Sequence, residues 1–201
     1  MGTGSGVVLA FVAAHAVALF GRPDLALLGT DINVLAARAA AATAKGVLSD
    51  LGPGRLLHHS VVDTTVADLA GPVRGMQVDV LIFNPPYVPT ETLPEAPMAE
   101  LREGATSHER FERNSKLLEL SYAGGIDGME TTNRLLEQMP GILSERGIAY
   151  ILLCAQNKPL EVEACIRAWP GSWDAEIVGW SGKRAGWEKL CILRIWRSSI
   201  P

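Results

Sequence analysis

Two consecutive prolines set a hard limit on the strand that precedes them. Val78 to Phe83 is an apolar run of strand character, and it stops on Asn84-Pro85-Pro86-Tyr87. Neither proline has an N–H to give to a sheet ladder and both fix φ, so the chain must turn there, with Asn84 at the strand's carboxyl end. In open α/β sheets that end of a strand is where ligands bind. The segments on either side alternate between helix-like and strand-like patterns, as in an α/β domain with a mostly parallel sheet.

Taken in order, Gly2-Thr3-Gly4-Ser5-Gly6 opens a predicted helix from Val7 to Phe20, Gly21-Arg22-Pro23 breaks it, and Ala26 to Thr30 reads as a buried strand ending at Asp31. Asn33 is placed to cap an alanine-rich helix running to Lys45. Gly52-Pro53-Gly54 then turns the chain into a strand from Leu56 to Val62, ending at Asp63, and the strand Val78 to Phe83 follows. From Pro89 to Lys116, within an insertion covering residues 89–120, three prolines and a mixed-charge run break the rhythm. That stretch reads as a loop with one helix, either a solvated insertion or a lid. Beyond it come a predicted helix from Gly128 to Leu143, a strand from Ile148 to Cys154 and a helix from Pro159 to Ala168. The last two strand-like runs, Ala175 to Trp180 and Lys189 to Trp196, are joined by a link too short for a helical crossover, so they are expected to pair antiparallel.

With 201 residues, 48% of them hydrophobic, the chain is long enough to bury its own core, and it is read as one domain over residues 1–201. Gly6 to Phe20 is nearly all apolar, but it is too short to span a bilayer, no basic residue precedes it and His15 interrupts it, so it reads as a packed helix. The formal charge of −4 gives no overall attraction to nucleic acid or to a membrane surface. Cys154, Cys165 and Cys191 form no C-x-x-C pair, which points to neither a disulfide framework nor a zinc site. They read as packing residues in a reducing compartment, and the expected location is the cytoplasm, with the nucleus left open. The five tryptophans, all in the last third, read as core and hairpin packing.

The candidate site residues follow from the chemistry that each position allows. The Gly2-x-Gly4-x-Gly6 turn lets the backbone approach a ligand, with the N–H groups of a helix start facing the same space. Asp31, 25 positions after Gly6 at a strand end, is placed to accept both hydrogen bonds of a ribose diol, which points to a nucleoside-containing cofactor. Asp63, expected at the end of the next strand, would lie beside the same pocket, where it can meet an adenine amino group. The side-chain oxygen of Asn84 and the carbonyl of Pro85 form a pair of acceptors that matches the two protons of a planar NH2 group, and Tyr87 offers a ring face on which that group can stack. Such a nitrogen is a poor nucleophile because its lone pair is conjugated. Drawing on both protons while aligning it with an electrophilic methyl lowers the barrier without a strong base.

Taken together, Gly-Thr-Gly-Ser-Gly, Thr30-Asp31-Ile32-Asn33, Asp63, Asn84-Pro85-Pro86-Tyr87, the Tyr122-to-Gly128 run and the Lys183-Arg184-Ala185-Gly186-x-Glu188 link resemble the class I S-adenosylmethionine-dependent methyltransferases of the HemK type. More narrowly, they resemble the eukaryotic enzymes that methylate the glutamine amide of the Gly-Gly-Gln loop in the class 1 translation release factor. The resemblance implies a Rossmann-like fold and S-adenosyl-L-methionine as cofactor. It also implies that Gly2, Gly4, Gly6, Asp31, Ile32, Asp63, Thr64 and Asn84 contact that cofactor, and that Asn84, Pro85, Pro86 and Tyr87 hold the acceptor amide. Eukaryotic members use a small zinc-binding activator protein, which the resemblance implies would add to the Leu56–Val62 edge. The family carries a further strand before the glycine turn, whereas here Met1 stands directly before Gly2. The chain therefore reads as N-terminally truncated, with the first strand missing and the second and fourth strands without a common neighbour. Two other classes stay open: an N6-adenine nucleic-acid methyltransferase, which should show a basic, aromatic-rich surface, and a non-catalytic interaction protein.

Overall fold

Residues 1–50, 61–96, 104–182 and 189–198 are described in the computed structural model, where they fall into two units, Met1–Pro72 and Val73–Pro201. The first unit contains helices α1 (Val7–Ala14), α2 (Ala16–Phe20) and α3 (Val34–Asp50) and strands β1 (Ala26–Asp31) and β2 (Val61–Val66). The strands are parallel and in register from Ala26 opposite Val61 to Asp31 opposite Val66. α3 buries Ala37, Ala40 and Ala44, small residues on one face that let it approach its neighbours closely. Asn33 caps it as expected, its Oδ1 accepting from the Leu35 N–H at 2.9 Å.

Three boundaries in this unit differ from the sequence reading. The helix expected from Val7 to Phe20 is parted at His15, whose ring stacks on Phe11 at 4.2 Å and reaches the Phe11 carbonyl at 2.9 Å. α3 continues past Lys45 to Asp50, because Gly46 has open space around it and its low helix propensity costs only about 1 kcal/mol. β2 runs on to Val66, since Val61-Val62-Asp63-Thr64-Thr65-Val66 is β-branched at every position but one and keeps its pairing with β1 throughout. The first part of the strand predicted over Leu56–Val62 lies outside the described residues.

The second unit holds β3 (Val78–Phe83), α4 (Ser107–Glu119), α5 (Glu130–Ile142), β4 (Leu143–Cys154), α6 (Pro159–Arg167), β5 (Trp173–Trp180) and β6 (Leu190–Arg197). Its sheet has the order β3-β4-β6-β5, with β3 parallel to β4 and β6 antiparallel to both β4 and β5. Leu81, Phe83, Leu135, Met139, Ile151, Leu153, Leu193 and Ile195 form its core. Strand β4 begins five residues before the expected Ile148: Val78 pairs with Leu143, a bulge follows, and Val80 pairs with Ile148. Gly147 belongs to that bulge, where a Cβ would lie 2.6 Å from the Val78 carbonyl. Within the insertion, a capping box between Thr106 and Glu109 starts α4, which buries none of its residues.

The chain is thus a mixed α/β protein with parallel strand pairs and an antiparallel C-terminal strand. Among the described residues β1 pairs only with β2 and β3 only with β4. No helix among the described residues is long and apolar enough to cross a membrane.

Candidate active site

In the first unit a single carboxylate organises the glycine turn. Asp31 Oδ2 accepts from the Gly4 N–H and Oδ1 from the Asn33 N–H, both at 2.9 Å, so the end of β1 is tied to the turn and to the start of α3. Thr3 N–H donates to the Thr30 carbonyl at 3.2 Å, which holds the turn alongside β1. Gly6, with φ 81°, is required twice over: L residues disfavour that backbone, and a Cβ there would overlap Ala40 of α3. Gly4 also has a left-handed φ, of 50°, but nothing stands within 4 Å of where its Cβ would be. Gly2 and Gly4 are exposed, Asp31 is half-buried, and Ile32 is exposed just beyond the strand. An open glycine flank beside a carboxylate that retains free lone pairs fits the ribose end of a nucleoside cofactor.

Asp63 and Thr64 do not join that cluster. Because β2 extends to Val66, Asp63 lies in mid-strand opposite Leu28, three positions and about 10 Å along the ladder from Asp31. Its carboxylate accepts the neighbouring Thr64 N–H at 2.8 Å, and the Thr64 hydroxyl donates to the Ala37 carbonyl of α3 at 3.0 Å. The acidic residue at the carboxyl end of β2 is Asp68, exposed, one residue past the Ala67 N–H that donates to the Asp31 carbonyl at 2.9 Å. The β-branched Thr64-Thr65-Val66 that follows Asp63 was the signal that the strand would carry past it to this position.

In the second unit, Phe83 is 2% exposed and ends β3 in the core, and the next residue, Asn84, is exposed. Neither the Asn84 side chain nor the Pro85 carbonyl has a hydrogen bond among the described residues; Asn84 is exposed, whereas Pro85 is buried, so both acceptors are unbonded but only Asn84 stands at the surface. The turn is seated on the Ala123-Gly124-Gly125-Ile126-Asp127-Gly128 run. Val88 bridges Ala123, with Val88 N–H donating to the Tyr122 carbonyl at 2.9 Å and Gly124 N–H to the Val88 carbonyl at 2.8 Å. A Cβ on Gly124 would lie 2.5 Å from the Pro86 carbonyl oxygen, and one on Gly128 (φ 69°) would overlap the Tyr87 carbonyl oxygen. The glycines of this run are therefore the floor under the proline turn.

Sequence reasoning passed over Asn157, which follows β4 and is 1% exposed. Its Nδ2 donates to the carbonyls of Tyr87 and Asp127, each at 2.9 Å, and its Oδ1 accepts the Cys154 N–H at 2.7 Å. Beside it Lys158 pairs with Asp127 at 2.9 Å, and that carboxylate raises the Lys158 ammonium above its usual value. A lone Asn after a strand carries no pattern by which the sequence could single it out.

A β-strand of an α/β fold ending on Asn and Pro acceptors without hydrogen bonds among the described residues, in a chain that also carries a glycine turn fixed by a strand-end carboxylate, defines a methyltransferase of the Rossmann-like type. The comparisons agree. Methyltransferase HEMK2 of Mus musculus is 31% identical over 198 residues, which cover 98% of this chain and 76% of the mouse protein. The eRF1 methyltransferase catalytic subunit mtq2 of Schizosaccharomyces pombe is 38% identical over 124 residues, 61% of this chain and 45% of the yeast protein. Among solved structures, the E. cuniculi Mtq2-Trm112 complex superposes with a TM-score of 0.50 at 19% identity, covering 94% of both chains, a likeness of fold. No protein-family model matches. The chain belongs to the HEMK2 family of methyltransferases.

Proposed function

We propose that the protein uses S-adenosyl-L-methionine to methylate the side-chain amide of the glutamine in the Gly-Gly-Gln motif of a class 1 translation release factor. The observation that carries this reading is the pair of acceptors without a hydrogen bond among the described residues, the exposed Asn84 Oδ1 and the carbonyl of the buried Pro85, on a turn that prolines stiffen and that the Gly124–Gly128 floor supports. The fission yeast relative is an eRF1 methyltransferase subunit, and the E. cuniculi complex is responsible for methylation of eRF1.

In this reading the first unit supplies the cofactor contacts. Asp31 accepts from the ribose hydroxyls with the lone pairs that the Gly4 and Asn33 N–H groups leave free, Asp68 takes the adenine-proximal place foreseen for Asp63, and Gly2 and Gly4 leave room for the ligand. The bound cofactor supplies an electrophilic methyl group. The second unit handles the acceptor: Asn84 and Pro85 each take one N–H of the amide, which moves electron density onto nitrogen and fixes its direction of attack, while Tyr87 covers the amide plane. After transfer the nitrogen loses one proton to water.

The E. cuniculi neighbour is a two-protein complex, and by analogy a small zinc-binding activator would extend the sheet beside β2. Val61 and Val66, which are 67% and 53% exposed, are on that strand, and the rest of the edge expected over Leu56–Val62 lies outside the described residues.

The test is methyl transfer to purified release factor, with the activator present, by wild type and Asn84→Ala. Wild type is expected to methylate the Gly-Gly-Gln glutamine and the variant to lose about 10²- to 10³-fold in kcat, the scale for removing one well-placed polar contact to the reacting group. Full activity in Asn84→Ala would refute the mechanism. Methylation of adenine in DNA instead of the release factor would transfer the same turn to a flipped base.

A further inference from the structure

We propose that Asn157 is a positioning residue that fixes the Asn84–Tyr87 turn in its working orientation through the Tyr87 carbonyl, an inference that rests on the reading above. The turn is poorly equipped to hold itself. Pro85 and Pro86 have no N–H, so its next backbone donor after Asn84 is Tyr87, and the first donor engaged beyond the prolines with a partner on the glycine run is the Val88 N–H on the Tyr122 carbonyl. Its orientation is therefore also imposed from outside, and the Tyr87 carbonyl is one place where this happens. Asn157 donates to it at 2.9 Å, and Gly128 lies beneath it with no space for a Cβ.

The bonding of Asn157 goes beyond capping the end of β4. Only its Oδ1 serves locally, on Cys154 N–H three residues away; its Nδ2 reaches Tyr87, 70 positions distant, and Asp127, 30 positions distant, with the Gly128 carbonyl a longer 3.4 Å away. A buried amide with both ends satisfied is costly to disturb, because any partner it abandons is left unpaired. The residues around it are also held in an uncommon backbone state. Asp127 and Lys158 have φ of 55° and 52°, the left-handed region that non-glycine residues rarely occupy, and their side chains are joined at 2.9 Å. Such strain persists where the surroundings over-determine it, and here it brackets a side chain that reaches the acceptor turn, whose Tyr87 carbonyl also takes a longer contact from Cys154 Sγ at 3.7 Å. The bond it accepts from Cys154 N–H and the two it donates to Tyr87 and Asp127 thus join the end of β4, the proline turn and the glycine run in one unit of structure.

Asn157→Asp keeps the shape of the side chain but replaces both donor protons by an acceptor facing carbonyl oxygens. With the activator-bound enzyme and purified release factor, well below the melting temperature of the variant, kcat is expected to fall about 10- to 100-fold, while cofactor Kd and the KM for release factor change by no more than about twofold. Asn157→Ser, which keeps one donor, should fall between wild type and Asp, and it serves if Asn157→Asp does not fold. The decisive readout is a double variant: if Asn157 acts through the turn that carries Asn84, then Asn157→Asp should cost less in single-turnover rate in an Asn84→Ala background than in wild type, because residues acting as a unit are non-additive. Full kcat in both Asn157 variants, or losses that multiply in the double variant, would overturn the inference while leaving the proposed function standing. Full activity in Asn84→Ala, or a wild type that does not methylate release factor, would overturn the function and this inference with it.

Discussion

The glycine turn of the first unit and the proline turn of the second solve opposite problems. Gly2-x-Gly4-x-Gly6 is packed closely only at Gly6, against Ala40; at Gly4 it is fixed by a polar tie, the Asp31 carboxylate on Gly4 N–H, with an open flank. Asn84-Pro85-Pro86-Tyr87 has almost no freedom and few donors, and it is fixed by shape, against glycines whose Cα atoms leave no room for a methyl group, with Asn157 closing the far side. A flexible turn made to admit a ligand needs a charge to define it, whereas a rigid turn made to present two acceptors needs only a seat that fits. Substitutions in the two regions should accordingly fail by different routes, steric in one and polar in the other.

The sharpest test of the steric side is Gly128→Ala. The new Cβ would overlap the Tyr87 carbonyl oxygen, stand 2.6 Å from Asn157 Nδ2, and impose an L side chain on a φ of 69°. Overpacking against backbone and left-handed strain together predict a loss of about 3 kcal/mol or more, visible as a large drop in the urea midpoint with little change in slope. A loss under about 1 kcal/mol would mean that the glycine run is not the rigid floor described here.

Much of this architecture is legible in the sequence because local signals agree with it. Val78–Phe83 is bounded by a glycine turn and a diproline, so its limits follow directly, and the short link between β5 and β6 gives their antiparallel pairing, although β5 begins two residues before the expected Ala175 and β6 is shifted by one residue. What escaped depended on contacts that lie far apart in sequence. The early start of β4 exists because Val78 pairs with Leu143 ahead of a bulge, and no residue in 143–147 announces that partner. Asp63 was placed at a strand end because an acidic residue after Val-Val resembles one, yet the pairing with β1 carries the strand three residues further. In the site, Asn84 and Asp31 stand out because residue type and strand-end position coincide. Asn157 does not, since its role is set by carbonyls 30 and 70 positions away. The break at His15 has a similar origin, in ring stacking on Phe11 that apolar periodicity does not encode.

On the polar side, Asp31→Ala removes the acceptor for two backbone N–H groups at 2.9 Å each. The site is half-buried, water replaces part of what is lost, and the expected cost in stability is about 1–2 kcal/mol. The effect on ligand should be separate and larger: loss of a charged acceptor for the ribose hydroxyls predicts cofactor binding weaker by about 10- to 100-fold in isothermal titration. Asp31→Asn sharpens the distinction, because it keeps one acceptor but turns an NH2 toward a backbone donor. It should lie nearer to Ala than to wild type in both measurements. If Asp31→Ala lowers stability while leaving cofactor affinity unchanged, the carboxylate is a fastener of the turn and nothing more.

The smallest change asked of the molecule is Gly4→Ala, and it separates the two regions most cleanly. Unlike Gly128, Gly4 has no atom within 4 Å of the position a Cβ would take, so the folded state meets only the penalty of an L residue at φ 50°, about 1–2 kcal/mol at most. Were the comparison merely one of crowding, this variant would be nearly silent. But the open flank at Gly4 is explained by a ligand that occupies it, and a methyl group intruding there should weaken cofactor binding by more than the fold-stability change can account for, since the folded fraction remains close to one after so small a loss. A titration in which affinity stays within about twofold of wild type would show that the space beside Gly4 is ordinary surface, and the glycine there would be explained by its backbone angle alone.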